Sequence, residues 1–341
     1  MKKRVLVIGS GKRVREAGLP ALVRIESDFE LTHIAARTAK QIQVGDRSFE
    51  VVPLDGMNAD WIKNTDLIYL AVTKDAVPSV LTKLSAYDVS HIDMLIDTPV
   101  VRFKHYRQVA KLSKYRNCWV AEDCTVLPWF DVVNDAINAG LIGELKSALF
   151  HRSAYAYHGV ATAKTLLGDF RVKRGNRKKS SGGQGSRRMH FSNGRIANIV
   201  EPRDYSVGYV RLEGTKGSIS DGEGVADHRL VPIVEDERWV GFRIGEYERR
   251  LDEDEIALLG SDDPTKQVTA RQDDLKRVGF LRLLRAIRDG RGGYPVEEAI
   301  DDMVVDYHLE KVGRYFDNPF TSPRYGLGRW LLSTLTRATG R

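Results

Sequence analysis

The sequence predicts an α/β chain. A doubly wound parallel sheet is expected first, then an α+β domain with a large, open, mostly antiparallel sheet. Three observations predict this. Short, wholly apolar runs alternate with helical patterns up to residue 122, as in a parallel sheet covered on both faces. From residue 143 onward, longer strands with partial alternation take over, separated by Asn193-Gly194 and Gly214-Thr215 turns. The length of 341 residues suits two domains, predicted as 1–122 and 123–341.

The elements follow in order. Residues 3–8 (KRVLVI) form a first strand, ended by Gly9-Ser10-Gly11 and a helix carrying Val14, Leu19, Leu22 and Val23. Residues 29–35 are a second strand and 66–72 a third, which runs into Thr73-Lys74-Asp75 and a helix with Val77, Val80 and Leu84 on one face. Residues 94–96 are a buried strand ending at Asp97-Thr98-Pro99. Residues 109–114 close a helix and 118–121 are again strand-like. Beyond the change of texture, residues 144–157 read as one long strand and 160–167 as a helix. The stretch 171–188 reads as a mobile, basic, Gly/Ser-rich loop. Residues 189–200, 205–213 and 217–220 are strands. Residues 273–289 and 296–316 are helices, the first with Leu275, Phe280, Leu283, Leu284 and Ile287 as its stripe.

Composition excludes several classes. At 42% hydrophobic and 29% charged, the chain is ordinary globular material. No apolar run approaches the roughly 18 residues of a membrane span. The basic start Met1-Lys2-Lys3-Arg4 precedes only Val5 to Ile8, which suits a strand rather than a signal peptide. Two cysteines, Cys118 and Cys124, make neither a disulfide framework nor a zinc site, and a reducing cytoplasm is expected. The net charge of +7 is concentrated in 171–188, which holds eight Lys/Arg and no acid, so nucleic acid is not the expected partner. Two readings of that segment stand: a clamp for an anionic substrate, or a solvated loop without a ligand. The apolar and basic tail 325–341 is read as a subunit or interdomain contact, with membrane-surface attachment as the other reading.

The glycine turn carries the chemistry. Between a strand and a helix, Gly9 and Gly11 let the backbone approach a pyrophosphate, and the helix start supplies positive potential. This is the Rossmann dinucleotide arrangement, with Val14 at its third glycine position. Lys12 and Arg13 are expected near the phosphates. At the end of the second strand an acid would bind the ribose of NAD. Here stand Arg37 and Thr38, which suit a 2′-phosphate, so NADP(H) is preferred, with NAD(H) as the alternative. Val72, Thr73, Thr98 and Pro99, at the ends of the third and fourth buried strands, complete the expected cofactor set.

Several landmarks occur in order over residues 3–316: the glycine turn with Leu19-Pro20-Ala21-Leu22, DLIYLAVTKDAV, Asp97-Thr98-Pro99, VAEDCTVLPWF, INAGLIGEL, LEGTKGSISDG and LLRAIRDG. Together they resemble the Gfo/Idh/MocA oxidoreductases, the family of glucose–fructose oxidoreductase and inositol dehydrogenase. The resemblance implies hydride transfer between a nicotinamide and a sugar-like or polyhydroxylated carbonyl/alcohol substrate, in a homodimer or homotetramer. It also implies a Glu-Lys-Pro where Asp97-Thr98-Pro99 stands, and an aspartate where Ala161 stands; only the histidine position, His158, is kept. His158 is therefore the first candidate for proton exchange. Asp97, at a strand's carboxyl end, is a candidate to orient Thr98 or contact substrate, and Tyr157, with Tyr155 beside it, to donate a proton, the tyrosines being packing residues on the other reading. Lys104 is a replacement amine or a surface charge, and Glu122 and Asp123 are an acidic pair or a solvated face. The two losses also leave open a dinucleotide-binding regulator without turnover, or a redox-neutral enzyme with tightly held cofactor.

Overall fold

The computed structural model describes residues 2–179, 185–260, 265–326 and 328–331. The chain divides into two compact units. One holds Met1–Asp123, Phe280–Ile300 and the tail from Gly326; the other holds Cys124–Gly279 and Asp301–Tyr325.

In the first unit β1 (Lys3–Ile8), β2 (Phe29–Ala36), β3 (Lys40–Val44), β4 (Arg47–Pro53), β5 (Leu67–Leu70), β6 (Asp93–Ile96) and β7 (Asn117–Val120) form most of an eight-stranded sheet. The run β7-β6-β5-β1-β2-β4 is parallel throughout. Its centre explains the apolar runs, because every residue of β5 and β6 is buried, as are Val5 to Ile8 of β1. The chain passes from β1 to β2 on one side and places β5 on the other. The strand order therefore reverses beside β1, the place where open α/β sheets bind ligands. The hairpin β3–β4 at the edge was not foreseen, since its alternating polar residues lack an apolar run. At the other edge β17 (Tyr294–Pro295) pairs antiparallel with β7. Gly292 (φ +79°) and Gly293 lie against Trp119, where a Cβ on Gly292 would stand 2.6 Å from the indole nitrogen. That close approach brings this late stretch of chain back to the first sheet.

The second unit is built on a ten-stranded sheet ordered β16-β15-β14-β13-β12-β8-β11-β10-β9-β18. Its strands are β8 (Leu145–His151), β9 (Val172–Lys179), β10 (Gly185–Phe191), β11 (Ile196–Glu201), β12 (Tyr209–Gly214), β13 (Ser218–Ser220), β14 (His228–Glu235), β15 (Arg238–Ile244), β16 (Tyr247–Arg250) and β18 (Arg314–Phe316). Only the pairs β8–β11 and β13–β14 are parallel.

Three expectations are corrected here. The basic stretch 171–188 is not a loop: β9 and β10 are paired antiparallel strands, and only its tip, 180–184, lies outside the described residues. Charge hid the alternation, for Arg187, Met189 and Phe191 are buried while Arg188 is exposed. Arg187 is neutralised by Glu201 at 3.0 Å, Glu310 at 3.1 Å and Asp306. The long strand 144–157 stops at His151, and a helix occupies Ala156–Leu167. The helix expected over 296–316 ends at Tyr307; a π-helical turn, His308–Val312, and Gly313 at φ +80° then lead into β18. Among the described residues no helix is long and apolar enough to cross a membrane. Most of the tail 325–341 lies outside them.

Candidate functional site

The end of β1 is shaped by its neighbours. The Gly9 amide donates to the Ala35 carbonyl at 2.8 Å, and the Ala71 amide donates to that of Ile8 at 2.8 Å. Gly9 adopts φ +130°, and a Cβ there would run into the Ala71 carbonyl oxygen. Only glycine fits, on conformational and steric grounds alike. Gly11 differs: apart from the adjoining chain, no protein atom lies within 4 Å of where its Cβ would be, and its φ is not in the left-handed range. Helical backbone begins at Lys12, and the amides of a first helical turn have no partners within the helix. A π-helical turn, Val14–Gly18, precedes Leu19–Arg24. Val14, at the third glycine position, is fully buried. The close helix-to-strand approach is made instead by Gly18, where a Cβ would stand 2.6 Å from the Tyr69 ring.

The cations of this region separate into two groups. Lys12 is exposed and pairs with Glu16 at 3.6 Å. Arg13, expected beside it at the phosphates, turns inward instead. Its guanidinium meets Asp123 at 2.6 Å, Asp97 at 3.3 Å and the Ala121 carbonyl at 3.3 Å, above the Phe280 ring. The reason is charge balance: Asp97 and Asp123 face inward from the ends of β6 and β7 and require a cation. Burial works against the Arg13 charge, but Asp123 and Asp97 outweigh it and hold the guanidinium well above its ordinary pKa. Burial lifts Asp97 above the ordinary carboxylate value, with Arg13 pulling the other way. Asp97, read as a substrate contact, is thus a partner of Arg13, and Asp123 is buried rather than solvated, as is Glu122. Thr98 and Pro99 follow, joined by a cis peptide, Thr98 half-buried and Pro99 buried. Lys104 lies 3.8 Å from Asp75 at the surface.

At the end of β2, Arg37 and Thr38 are exposed, and Arg37 makes no ion pair among the described residues. Lys40 reaches back to the glycine turn, its Nζ donating to the Ser10 carbonyl at 3.5 Å. Sequence reasoning passed over Lys40; its place three residues beyond Arg37 was the available signal. Val72 is half-buried and Thr73 exposed at the end of β5. The Thr73 carbonyl accepts from Ala76, starting the next helical turn.

In the second unit a narrow cavity is lined by Ser153, Tyr155, His158, Thr162, Tyr205 and Gln272, with Cys124 and apolar side chains. His158 sits in the first turn of Ala156–Leu167, its ring 4.3 Å from that of Tyr157 and 5.0 Å from that of Tyr155. The tyrosines are not strand residues: Tyr155 is the helix N-cap and Tyr157 lies in the first turn. Arg152 (φ +54°) and Ala156 (φ +48°) bracket Ser153 to Tyr155 in a conformation L side chains rarely adopt. The helix is fixed by Lys164, fully buried, whose Nζ meets Asp301 at 2.8 Å and Asp302 at 2.6 Å. Thr162 Oγ1 donates to the His158 carbonyl at 2.7 Å. The Cys124 thiol lies within 4.8 Å of a His158 ring nitrogen. Ala161, the position of the expected aspartate, is fully buried. Near Tyr155 two cations gather. The Arg203 guanidinium lies 4.2 Å from the Tyr155 ring centre and 5.0 Å from that of Tyr205, and Lys276 Nζ donates to the Tyr205 oxygen at 2.9 Å.

No protein-family model and no curated protein matches the chain. Solved structures do. A myo-inositol dehydrogenase from Corynebacterium glutamicum is 16% identical, with TM-score 0.59 over 94% of this chain and 100% of that one. An Agrobacterium radiobacter oxidoreductase, solved with NAD+, L-tartaric acid and magnesium, is 13% identical, with TM-score 0.62 over 93% and 98%. A super-repressor mutant of Gal80p from Saccharomyces cerevisiae is 10% identical, with TM-score 0.61 over 93% and 98%. The chain has the fold of the Gfo/Idh/MocA-type oxidoreductases.

Proposed function

We propose that this protein is an oxidoreductase that uses a nicotinamide dinucleotide, NADP(H) in preference to NAD(H), on a sugar-like or other polyhydroxylated carbonyl/alcohol substrate. The observation that carries it is Gly11. Neither backbone conformation nor any protein neighbour requires glycine there, yet the position leaves open space beside a helix start, at the point where the strand order reverses. A diphosphate fits that space, with the first-turn amides and exposed Lys12 as its donors. Arg37 and Lys40 would hold a 2′-phosphate, one as a planar fork and the other as a point charge. Val72 and Thr73, with Thr98 and Pro99, would flank the dinucleotide at neighbouring strand ends. Arg13 takes no part, being committed to Asp97 and Asp123. The dinucleotide supplies the hydride chemistry. The chain's own part is to hold substrate and handle the proton, and His158 is the ring proposed to hydrogen-bond the substrate oxygen. Likeness to inositol dehydrogenases supports the substrate class.

The test follows the absorbance of reduced nicotinamide while the protein is offered a panel of sugar and cyclitol ketones. Turnover is expected with NADPH. Arg37→Ala should weaken NADPH binding about tenfold, roughly 1.4 kcal/mol, and leave NADH binding unchanged. Equal losses for both nucleotides contradict the NADP(H) preference.

A second reading rests on Thr98 and Ala161, which stand where the resembled family has its lysine and aspartate, and on the likeness to Gal80p. In that reading the protein is a dinucleotide-responsive regulator. Dinucleotide binding without turnover on any carbonyl, together with capture of a partner protein only in the loaded state, would favour it.

A further inference from the structure

Resting on the oxidoreductase reading, we propose that Tyr205 gives and takes the proton at the substrate oxygen, with Lys276 as its positioning residue. Three features of the second unit carry this. First, Tyr205 lines the same cavity as His158, with Ser153 and Gln272 as further polar groups. Second, the Lys276 amine donates to the Tyr205 oxygen at 2.9 Å, so the phenol's own proton points elsewhere. The lysine side chain is only 12% exposed, so solvent screens its charge little, and it also lies 3.4 Å from the exposed Asp273 carboxylate. Third, the Arg203 guanidinium covers the Tyr155 ring and lies 5.0 Å from the Tyr205 ring centre, a second cation on the same phenol.

A phenol placed this way is an acid whose conjugate base is already provided for. Burial pushes the Tyr205 phenol up to about 12, against the pull of Lys276 and Arg203, so the group rests protonated at neutral pH. In the reducing direction a bound reduced nicotinamide would supply hydride to the carbonyl carbon, leaving the C–O π electron pair on the oxygen. That oxygen takes the Tyr205 proton: the Oη–H bond breaks and the alcohol O–H bond forms. The phenolate left behind faces two cations, and the Lys276 ammonium returns a proton to it, regaining its own from water. Oxidation runs the same transfers in reverse. His158 is then left to orient the substrate oxygen.

The test uses full-length protein labelled with 3-fluorotyrosine, whose ring fluorine makes the phenols more acidic and brings titration into the range the fold tolerates. The Tyr205 fluorine resonance is assigned by its loss in Tyr205→Phe. Lys276→Met should move the midpoint of that resonance upward by about one pH unit, and Lys276→Arg should restore it. An unmoved midpoint in Lys276→Met overturns the positioning role. Tyr205→Phe should reduce kcat for carbonyl reduction by about 100-fold, with dinucleotide affinity and melting temperature unchanged. Wild-type turnover in Tyr205→Phe overturns the proposal alone. A wild-type protein inert toward every carbonyl overturns the oxidoreductase reading instead, and the fluorine titration still reports on the pair.

Discussion

The glycine turn of the first unit and the cavity beside His158 in the second are made of different materials. At the turn the proposed working groups are backbone amides, and the side chains matter by being absent, at Gly9 because nothing else fits and at Gly11 because space is left. Around His158 the proposed working groups are side chains, drawn from positions 155, 158, 203, 205 and 276 and set by a strained helix entry and a buried ion-pair cluster. A backbone site is written in one short stretch of sequence, whereas a side-chain site is assembled by the sheet. The two should therefore fail in different ways when mutated.

The largest effect is expected where the second region is anchored. Lys164→Met would leave Asp301 and Asp302 buried without the ammonium, although Arg324 lies 3.2 Å from Asp301. A loss of about 3–5 kcal/mol of unfolding free energy is expected in urea titration, with the affinity of the glycine turn for dinucleotide retained in the folded fraction. Next, Gly9→Ala should cost about 1–3 kcal/mol through backbone strain, with additional cost from the clash with Ala71, and should abolish dinucleotide binding, as read by thermal melting and nucleotide titration. If Gly9→Ala melts like wild type, the turn is not as tight as drawn. His158→Ala should leave melting and dinucleotide affinity unchanged while lowering turnover about 100-fold; unchanged turnover would remove the ring from the reaction.

The smallest effect concerns the half-buried Arg13 cluster. Asp97 has a raised pKa in the folded protein, so the fold holds a proton there that the unfolded chain has already released. Its contribution is greatest below the ordinary carboxylate pKa and is lost as pH rises through the raised value. Unfolding free energies of wild type minus Asp97→Asn, measured across that window, should fall with rising pH. A difference that rises with pH contradicts the burial of this carboxyl.

These contrasts explain what was legible. The apolar runs of β1, β5 and β6 and the Gly9–Gly11 turn were readable because burial on both faces and tight backbone approach each restrict residue type locally. The β9–β10 hairpin was misread because Arg177 and Arg187 look solvated in sequence, while their counter-ions lie on the next strand, at Glu201, and far along the chain, at Asp306 and Glu310. Arg13 was misplaced for the same reason, its partners lying 84 and 110 positions away. His158 was singled out as a candidate through a family resemblance. Tyr205 and Lys276 could not be found in any motif, since only the folded second unit brings them together.

The dinucleotide site is tested most directly by calorimetric titration of wild-type protein and Gly11→Ala with NADPH. Wild type should bind one dinucleotide per chain. Gly11→Ala should bind at least about tenfold more weakly while melting at the wild-type temperature, because the added methyl meets ligand and no protein atom. No heat with NADPH or NADH in the wild type, or equal affinity in the two proteins, would contradict the account.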